Sequence, residues 1–384
     1  MEMKNNQKGI NFTCHAFIWC MNISFVISMS QLYEYQFFHY VAVFLDVIAI
    51  LFLFYHYIIA RGLQIKTATF SAIAVVVGII SYISSDGPTI LKLILFILAI
   101  QAVGERRILS YFYGSLILAF IIVMISSFAG LTTLTYYSRF KQAYRFGFQN
   151  PNTVPVVLFA IMSGVNIAHE KTLKFKHIVL ELIVMLVSYY FCKGRTAFYI
   201  CILTFVLLIF RKPLQDTRFL KVVSWPFQFL FLILAVFSYY VTIMYRAGNS
   251  NWQKLNLLLS GRLYAWQGYY SRYGISVFGN KLSTEYYGAL DNAYLQLIIK
   301  YGLIAFILYA VIFVAISRYA WKNNRWVLFT LIISTEFYFL AEFGPMIVNF
   351  CPEILCFGCL LNKDEAIEDE EAVTTFTWHG KKLF

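Results

Sequence analysis

Charge is scarce in this chain. Only 13% of its 384 residues are Asp, Glu, Lys or Arg, against about 25% in a typical soluble domain. The alternating segments of about ten residues that build a β-barrel are missing, because the apolar runs here are unbroken. Cysteine is present but unpaired in pattern. Cys14, Cys20, Cys192, Cys201, Cys351, Cys356 and Cys359 all lie in or beside apolar runs. Cys351, Cys356 and Cys359 are spaced like metal ligands, yet no His or Cys pair stands near them, so they read as small buried hydrophobes. A small-residue cleavage site is lacking too. Ser30, Gln31 and Leu32 follow the first apolar run, which therefore reads as a retained helix and not a signal peptide.

What is abundant is apolar surface. Hydrophobic residues make up 60% of the chain, and the mean hydropathy is +0.68. Apolar runs near the ~20 residues that cross a bilayer recur from end to end. The expected fold class is an all-α polytopic membrane protein of about twelve transmembrane helices. The spans are Phe12–Met29, Phe37–Ala60, Thr67–Ser84, Thr89–Val103, Ile108–Gly130, Thr153–Ala168, Ile178–Cys192, Ala197–Phe210, Val222–Ile243, Ala293–Ser317, Trp326–Ala341 and Pro345–Leu361. Residues 1–361 form the membrane domain, with long loops at 131–152 and 244–292. The acidic run Asp364–Glu371 marks 362–384 as a solvated tail.

The net charge of +12 does not signal nucleic acid. Alternation from a cytoplasmic N-terminus puts the basic short connectors on the inner side: Lys4/Lys8, Arg61/Lys66, Arg106/Arg107, Lys171/Lys174/Lys176, Arg211/Lys212/Arg218/Lys221 and Arg318/Lys322/Arg325. That is the bias expected of a multi-pass protein with both termini in the cytoplasm. Three basic segments fall outside: Arg139/Lys141/Arg145, Lys193/Arg195, and the long loop with Arg246, Lys254, Arg262, Arg272 and Lys281. Charge against the orienting bias needs another reason. The spans flanking Arg195 cover roughly 21–23 Å against a hydrocarbon core of roughly 30 Å. Arg195 is thus expected in a recess, where ionisable groups line a site. The plain alternative is an arginine snorkelling to headgroups.

The long loop carries a helical pattern. Trp252, Leu255, Leu259, Leu263, Trp266 and Tyr270 step by three or four, which predicts one amphipathic helix lying along the outer interface. It hangs Arg262 over the mouth of the bundle. Asp291-Asn292 closes the loop at the next apolar run.

These elements resemble the O-antigen ligase and polymerase superfamily. The resemblance rests on Gly261-Arg262 with Trp266, Phe278-Gly279-Asn280, Leu290-Asp291-Asn292-Ala293-Tyr294-Leu295, and Gly302. Arg145-Phe146-Gly147-Phe148-Gln149-Asn150-Pro151-Asn152 is similar to an Arg-x-Gly-(x)2-(His/Asn)-Pro-Asn element of bacterial polysaccharide polymerases. Gly194-Arg195-Thr196-Ala197 is similar to their Ser-Arg-Thr-Ala, with Gly for Ser. Glu342 resembles a late acidic position. Asp291 stands where the ligases often have His.

The resemblance implies a polymerase of the Wzy type with the membrane glycosyltransferase C fold. Such a protein joins oligosaccharide repeat units carried on undecaprenyl pyrophosphate at the outer face of the cytoplasmic membrane. Its chemistry is inverting and metal-independent, with no cofactor. Membrane lipid surrounds it, and flippase and chain-length regulator proteins are possible partners. The residues suit this chemistry. Arg145, Arg195 and Arg262 offer bidentate recognition of pyrophosphate. Asp291, where the loop re-enters the bundle, is the candidate base for the acceptor hydroxyl, with Glu285 or Glu342 next. Asn150, Asn152, Trp266, Asn292, Tyr294 and Glu342 are expected to support them. Tyr269, Tyr270, Tyr273, Tyr286 and Tyr287 suit sugar stacking or an interfacial aromatic belt. Asp291-Asn292 before an apolar run is equally a helix N-cap.

Other functions stay open. A ligase of the same superfamily uses similar residues. A transporter or flippase would use the intramembrane groups Asp46, Lys92, Glu181, Lys300 and Glu336. A non-catalytic scaffold is the third class.

Overall fold

A computed structural model describes residues 2–61, 65–101, 103–138, 141–216 and 225–360. The acidic tail and connector residues 217–224 lie outside the described residues, as do the first residues of the span expected at Val222. The described chain is mostly helical. In order, it contains α1 (Glu2–Ser28), α2 (Gln36–Arg61), α3 (Ile65–Ser85), α4 (Thr89–Ala99) and α5 (Glu105–Phe128). A hairpin, β1 (Thr135–Ser138) with β2 (Lys141–Tyr144), precedes α6 (Thr153–Ala168), α7 (Phe175–Cys192), α8 (Arg195–Asp216) and α9 (Leu230–Met244). The long loop holds α10 (Ser250–Leu258) and α11 (Arg262–Tyr273), and the chain continues with α12 (Leu303–Lys322), α13 (Trp326–Phe339) and α14 (Pro352–Leu360).

Five helical segments among the described residues are long and apolar enough to cross a membrane: Lys8–Ser28, Gln36–Ile58, Glu105–Phe128, Phe175–Cys192 and Leu303–Lys322. The other apolar segments among the described residues, Ser71–Ser85 of α3 and Arg195–Phe210 of α8 included, are shorter, at 10–17 residues. Surface chemistry agrees with a membrane setting. On α2, Phe37, Phe44 and Leu51 recur at intervals of seven and are 70%, 63% and 63% exposed. Such a stripe is costly against water and costs nothing against hydrocarbon.

The helix ends follow local chemistry. Glu105 sits in the first turn of α5, where a carboxylate meets the positive end of the helix dipole. The same helix closes at Gly130, φ +78°. There Leu131 N–H donates to Ser126 O at 2.9 Å and Gly130 N–H to Ser127 O at 3.2 Å, the paired bonds of a Schellman ending. Lys193, φ 58°, ends α7 in the left-handed region. Gly194 then lets the chain turn tightly against α6: a Cβ there would lie 2.9 Å from Pro155 Cγ and 3.7 Å from Asn152 Oδ1.

The core runs through the bundle as interlocked aromatics. Phe231 contacts Tyr294, Phe306, Phe313 and Phe339 with ring centroids 5.1–6.4 Å apart, the spacing of favourable stacked and edge-on pairs. Arg325, just before α13, fastens one end of the bundle. It donates to Glu105 at 2.7 Å and to Glu170 at 3.0 Å, and Glu170 also accepts Val327 N–H at 2.8 Å.

Four expectations need correction. The single amphipathic helix is two, because Ser260 (φ 58°) and Gly261 (φ 83°) are both left-handed and break it. The expected span Ala293–Ser317 is not one helix. It begins with a turn at Ala293–Leu295, widens into a π-helix at Gln296–Tyr301, breaks at Gly302 (φ 90°) and resumes as α12. The stretch Pro345–Leu361 starts as 3-10 turns, Gly344–Met346 and Val348–Phe350, and only Pro352–Leu360 is α-helical. Finally, α7 and α8 have 18 and 22 residues, longer than the apolar letters alone suggest. Polar residues at their ends continue the helices, and α7 is long and apolar enough to cross a membrane, while the apolar part of α8, Arg195–Phe210, stays short. Arg195, expected in a recess, has an exposed side chain.

Candidate functional site

The loop 244–292 folds into its own small core. Val241, Tyr245, Leu263, Trp266, Tyr269, Leu290, Leu295 and Ile299 pack together, buried. Trp266 is 5% exposed and its role is to seat α11 on the bundle. Tyr269 braces the far side of the loop, donating to Gly288 O and to Ser283 O. Tyr273 Oη accepts Ser283 N–H at 2.9 Å. A second stitch joins 276–280 to the helix break. Asn280 N–H donates to Lys300 O at 2.9 Å, Asn280 Nδ2 to Ile299 O at 2.8 Å, and Leu303 N–H to Ser276 O at 2.9 Å. Backbone groups left over by the π-turn are thereby satisfied, as buried backbone requires. Gly279 and Gly302 face each other so closely that a Cβ on Gly279 would lie 2.1 Å from Lys300 O.

Asn292 turns the chain back into the bundle. It is fully buried. Its Oδ1 accepts Leu295 N–H at 3.0 Å, and its Nδ2 donates to Ser238 Oγ and Leu340 O, each at 3.1 Å. Tyr294, also buried, donates to Glu336 O at 2.8 Å. These bonds tie the end of the loop to α9 and α13, and they leave Asp291 free of any capping duty.

Asp291 instead faces Arg262. The Arg262 Nε lies 3.3 Å from Asp291 Oδ2, and its Nη2 lies 3.3 Å from Glu342 Oε1. The three side chains are 24%, 29% and 15% exposed. Three segments far apart in sequence thus meet at the C-terminal end of α13: the start of α11, the end of the loop, and the turn after Phe339. Arg262 occupies the first turn of α11, where the helix dipole disfavours a cation; the two carboxylates compensate. Burial pushes the Asp291 carboxyl above its ordinary range, against the pull of Arg262. Glu342 is pushed up to about 7, first by burial and then by the charge of Asp291, with Arg262 again opposing. Burial thus raises both acids, and Arg262 opposes the rise at both.

The other expected site residues fall in two places. Arg145 donates from Nε and Nη2 to Thr133 Oγ1 at 2.9 and 2.6 Å, and from Nη1 to Gln149 O at 3.5 Å. Thr133 in turn donates to Gln31 Oε1. Arg145 therefore holds the hairpin loop to the end of α1. Asn150 Oδ1 accepts Asn152 N–H at 2.9 Å, a local turn that starts α6. Arg195 follows Gly194, which abuts Asn152 and Pro155, while a Cβ on Gly344 would lie 3.5 Å from Val156. Gly194 and Gly344 thus both lie against the first turn of α6, at Pro155 and at Val156. The structure brings Arg262, Asp291 and Glu342 together and keeps Arg145 on its own loop.

Sequence reasoning missed the Tyr269 and Tyr273 braces and the pairing of the 276–280 segment with Ile299–Leu303. The glycine-bearing stretches Phe278-Gly279-Asn280 and Tyr301-Gly302 were the available signal, since glycine permits backbones to touch. Among the described residues no three His, Cys, Asp or Glu side chains gather as a metal site requires. Compared with protein-family models, curated proteins and solved structures, the chain matches none.

Proposed function

We propose that this chain is a polytopic membrane glycosyltransferase of the glycosyltransferase C type. It spans the membrane about twelve times, as the recurrence of near-20-residue apolar runs suggests, with both termini cytoplasmic. It joins oligosaccharide repeat units carried on undecaprenyl pyrophosphate at the outer face. The observation that carries this reading is the Arg262–Asp291–Glu342 cluster, a guanidinium and two carboxylates at the mouth of an apolar bundle.

The chemistry follows from those groups. The acceptor hydroxyl oxygen bonds to the anomeric carbon of the donor chain, and the bond from that carbon to the pyrophosphate oxygen breaks. Its electron pair leaves on the pyrophosphate. Asp291 takes the hydroxyl proton, the task of a general base. Arg262, at a helix N-terminus, meets the charge that develops on the leaving group. Arg195, exposed beside the start of α6, is the second cation available to it, and Arg145 supports the neighbouring loop. Tyr264 and Tyr286, 54% and 64% exposed, give flat surfaces for sugar rings.

A second reading is a transporter or flippase. It is favoured by the helix broken at Gln296–Gly302 and by Glu336, which is 1% exposed with Oε2 unpartnered; broken helices and buried acids mark substrate paths in such proteins. Deleting the protein and sizing surface polysaccharide separates the readings. Single repeat units exposed outside without long chains support the polymerase. Full-length chains left on the lipid carrier support a ligase. Repeat units trapped inside support the flippase.

A further inference from the structure

We propose that Arg262 is a counter-ion that the substrate removes: binding of a diphosphate draws the guanidinium off Asp291 and Glu342, and the freed pair takes up a proton that stays on Glu342. The inference rests on the reading of this site as a diphosphate-linked transferase. It adds that ligand binding and proton binding are coupled there.

The geometry sets up a competition. Arg262 reaches Asp291 through Nε and Glu342 through Nη2, so the donors along that side of the guanidinium are engaged without ligand. A diphosphate taken side-on by that Nε/Nη2 fork needs those same donors, whereas one taken end-on by Nη1 would leave both carboxylates in place and bind without proton uptake. When the guanidinium turns to phosphate, the two carboxylates lose the cation between them. The groups facing them are then few. Asp291 faces Tyr269 of α11 and Glu342. Glu342 faces Asp291 and Tyr338 of α13. Among these, Arg262 is the only cation.

Two carboxylates with no cation between them and a diphosphate beside them do not both stay ionised. The proton goes to the more buried one. Glu342 is 15% exposed and Asp291 29%, and burial together with the charge of Asp291 already pushes the Glu342 carboxyl up to about 7. Asp291 stays ionised and gains basicity from the loss of Arg262. Asp291 is therefore a weaker base while the site is empty than when a diphosphate has drawn Arg262 away. That protects against proton chemistry on an acceptor sugar when no donor is bound.

The test uses the purified full-length protein in nanodiscs. The probe is a short-chain polyprenyl diphosphate bearing one N-acetylhexosamine, whose phosphates do not titrate near neutrality. Calorimetric titration in buffers of different ionisation enthalpy counts protons taken up on binding. The expected result is uptake of a fraction of a proton at pH 7, rising towards about one at pH 8, with affinity falling as pH rises. Glu342→Gln should bind the probe with no uptake and a flat pH dependence. Arg262→Lys, which keeps charge but loses the fork, should bind weakly. Binding without proton uptake overturns the proposal, as does uptake that persists in Glu342→Gln, or failure of the wild-type protein to bind. Polymerisation of lipid-linked repeat units by the same preparation is scored separately. Polymer without proton uptake sinks this inference and spares the polymerase; proton uptake without polymer does the reverse.

Discussion

Asn292 Oδ1 accepts the Leu295 N–H at 3.0 Å, so the turn that ends the long loop is capped by Asn292 and not by Asp291. The two adjacent residues divide labour. Asn292, buried and triply bonded, fixes the backbone. Asp291 presents its carboxylate to Arg262.

That division makes opposite predictions for neighbouring substitutions. Asp291→Asn should leave protein yield unchanged and lower thermal stability in detergent less than loss of the Asn292 cap does, because only the partly exposed pairing with Arg262 is lost. Polymerisation of lipid-linked repeats should fall by roughly 10²–10⁴-fold, the usual range for loss of a general base. Asn292→Ala should instead lower stability by at least the ~1 kcal/mol of a lost cap, more because Leu340 O and Ser238 Oγ lose their donor. Normal turnover by Asp291→Asn would exclude it as the base.

The arginines should differ in kind. Arg262→Ala removes the cation between two carboxylates and should cost about 10²–10³-fold in rate, the size of a lost charge-stabilising donor. Arg262→Lys should rescue poorly, since a point charge cannot span both acids and a phosphate. Arg145→Ala should loosen the hairpin loop, read as faster proteolysis between residues 131 and 149, because its guanidinium is spent on Thr133 and Gln149. Loss of rate with an intact loop would restore Arg145 to the substrate site.

Much of this was legible in the apolar pattern, and the misses share a cause. Each expected span coincides at least in part with a helix, and Thr153–Ala168 matches α6 residue for residue. Hydropathy reads apolar letters, however, and the π-turn at Gln296–Tyr301 is buried at five of its six positions and runs on into an apolar helix; its break could not show. Residues Ser260 and Gly261 split an otherwise regular helical period, because backbone sign is invisible to periodicity. Asp291 and Arg262 were legible as the ends of one loop. Their meeting with Glu342 was not, since Arg262 and Glu342 are 80 residues apart and only tertiary packing joins them.

Stability should carry the signature of Glu342. Its carboxyl rises from an ordinary value of 4.5 to about 7 in the fold. A raised carboxyl stabilises the folded state while protonated, so the contribution is full below pH 4.5 and is lost as pH climbs to about 7. Asp291 is shifted in the same direction and adds to the slope. The thermal midpoint in detergent should therefore fall between pH 5 and pH 8, and Glu342→Gln should flatten that fall. An unchanged slope in the variant would show that Glu342 ionises as an ordinary surface acid.

Sidedness is testable with two cysteines. Thr284 lies exposed in the long loop, and Asn323 lies exposed just beyond α12. α12 is one of the helices long enough to cross a membrane. In a background without native cysteines, Thr284→Cys should label from outside with an impermeant thiol reagent. Asn323→Cys should label only after permeabilisation. External labelling of both would rule out the proposed orientation.

The stitch between the loop and the broken helix should be the least tolerant backbone in the site. Gly279 has φ +107° and Gly302 φ +90°. A Cβ on Gly279 would lie 2.1 Å from Lys300 O, and one on Gly302 would lie 2.5 Å from Val277 O. Neither obstacle is a movable side chain; both are backbone carbonyls held in the pairing of 276–280 with Ile299–Leu303. Gly288 provides the control, with φ +71° and nothing within 4 Å of its added Cβ. Gly288→Ala pays only for the left-handed backbone, roughly 1–2 kcal/mol. Gly279→Ala or Gly302→Ala must also part the two segments, which frees Asn280 from its bonds and shifts the route to Asp291. We expect both to lose polymerisation and to drop the thermal midpoint well below that of Gly288→Ala. Equal behaviour of the three alanine variants would mean that the 276–280 segment is not docked on the break, and that Asp291 is positioned by Asn292 alone.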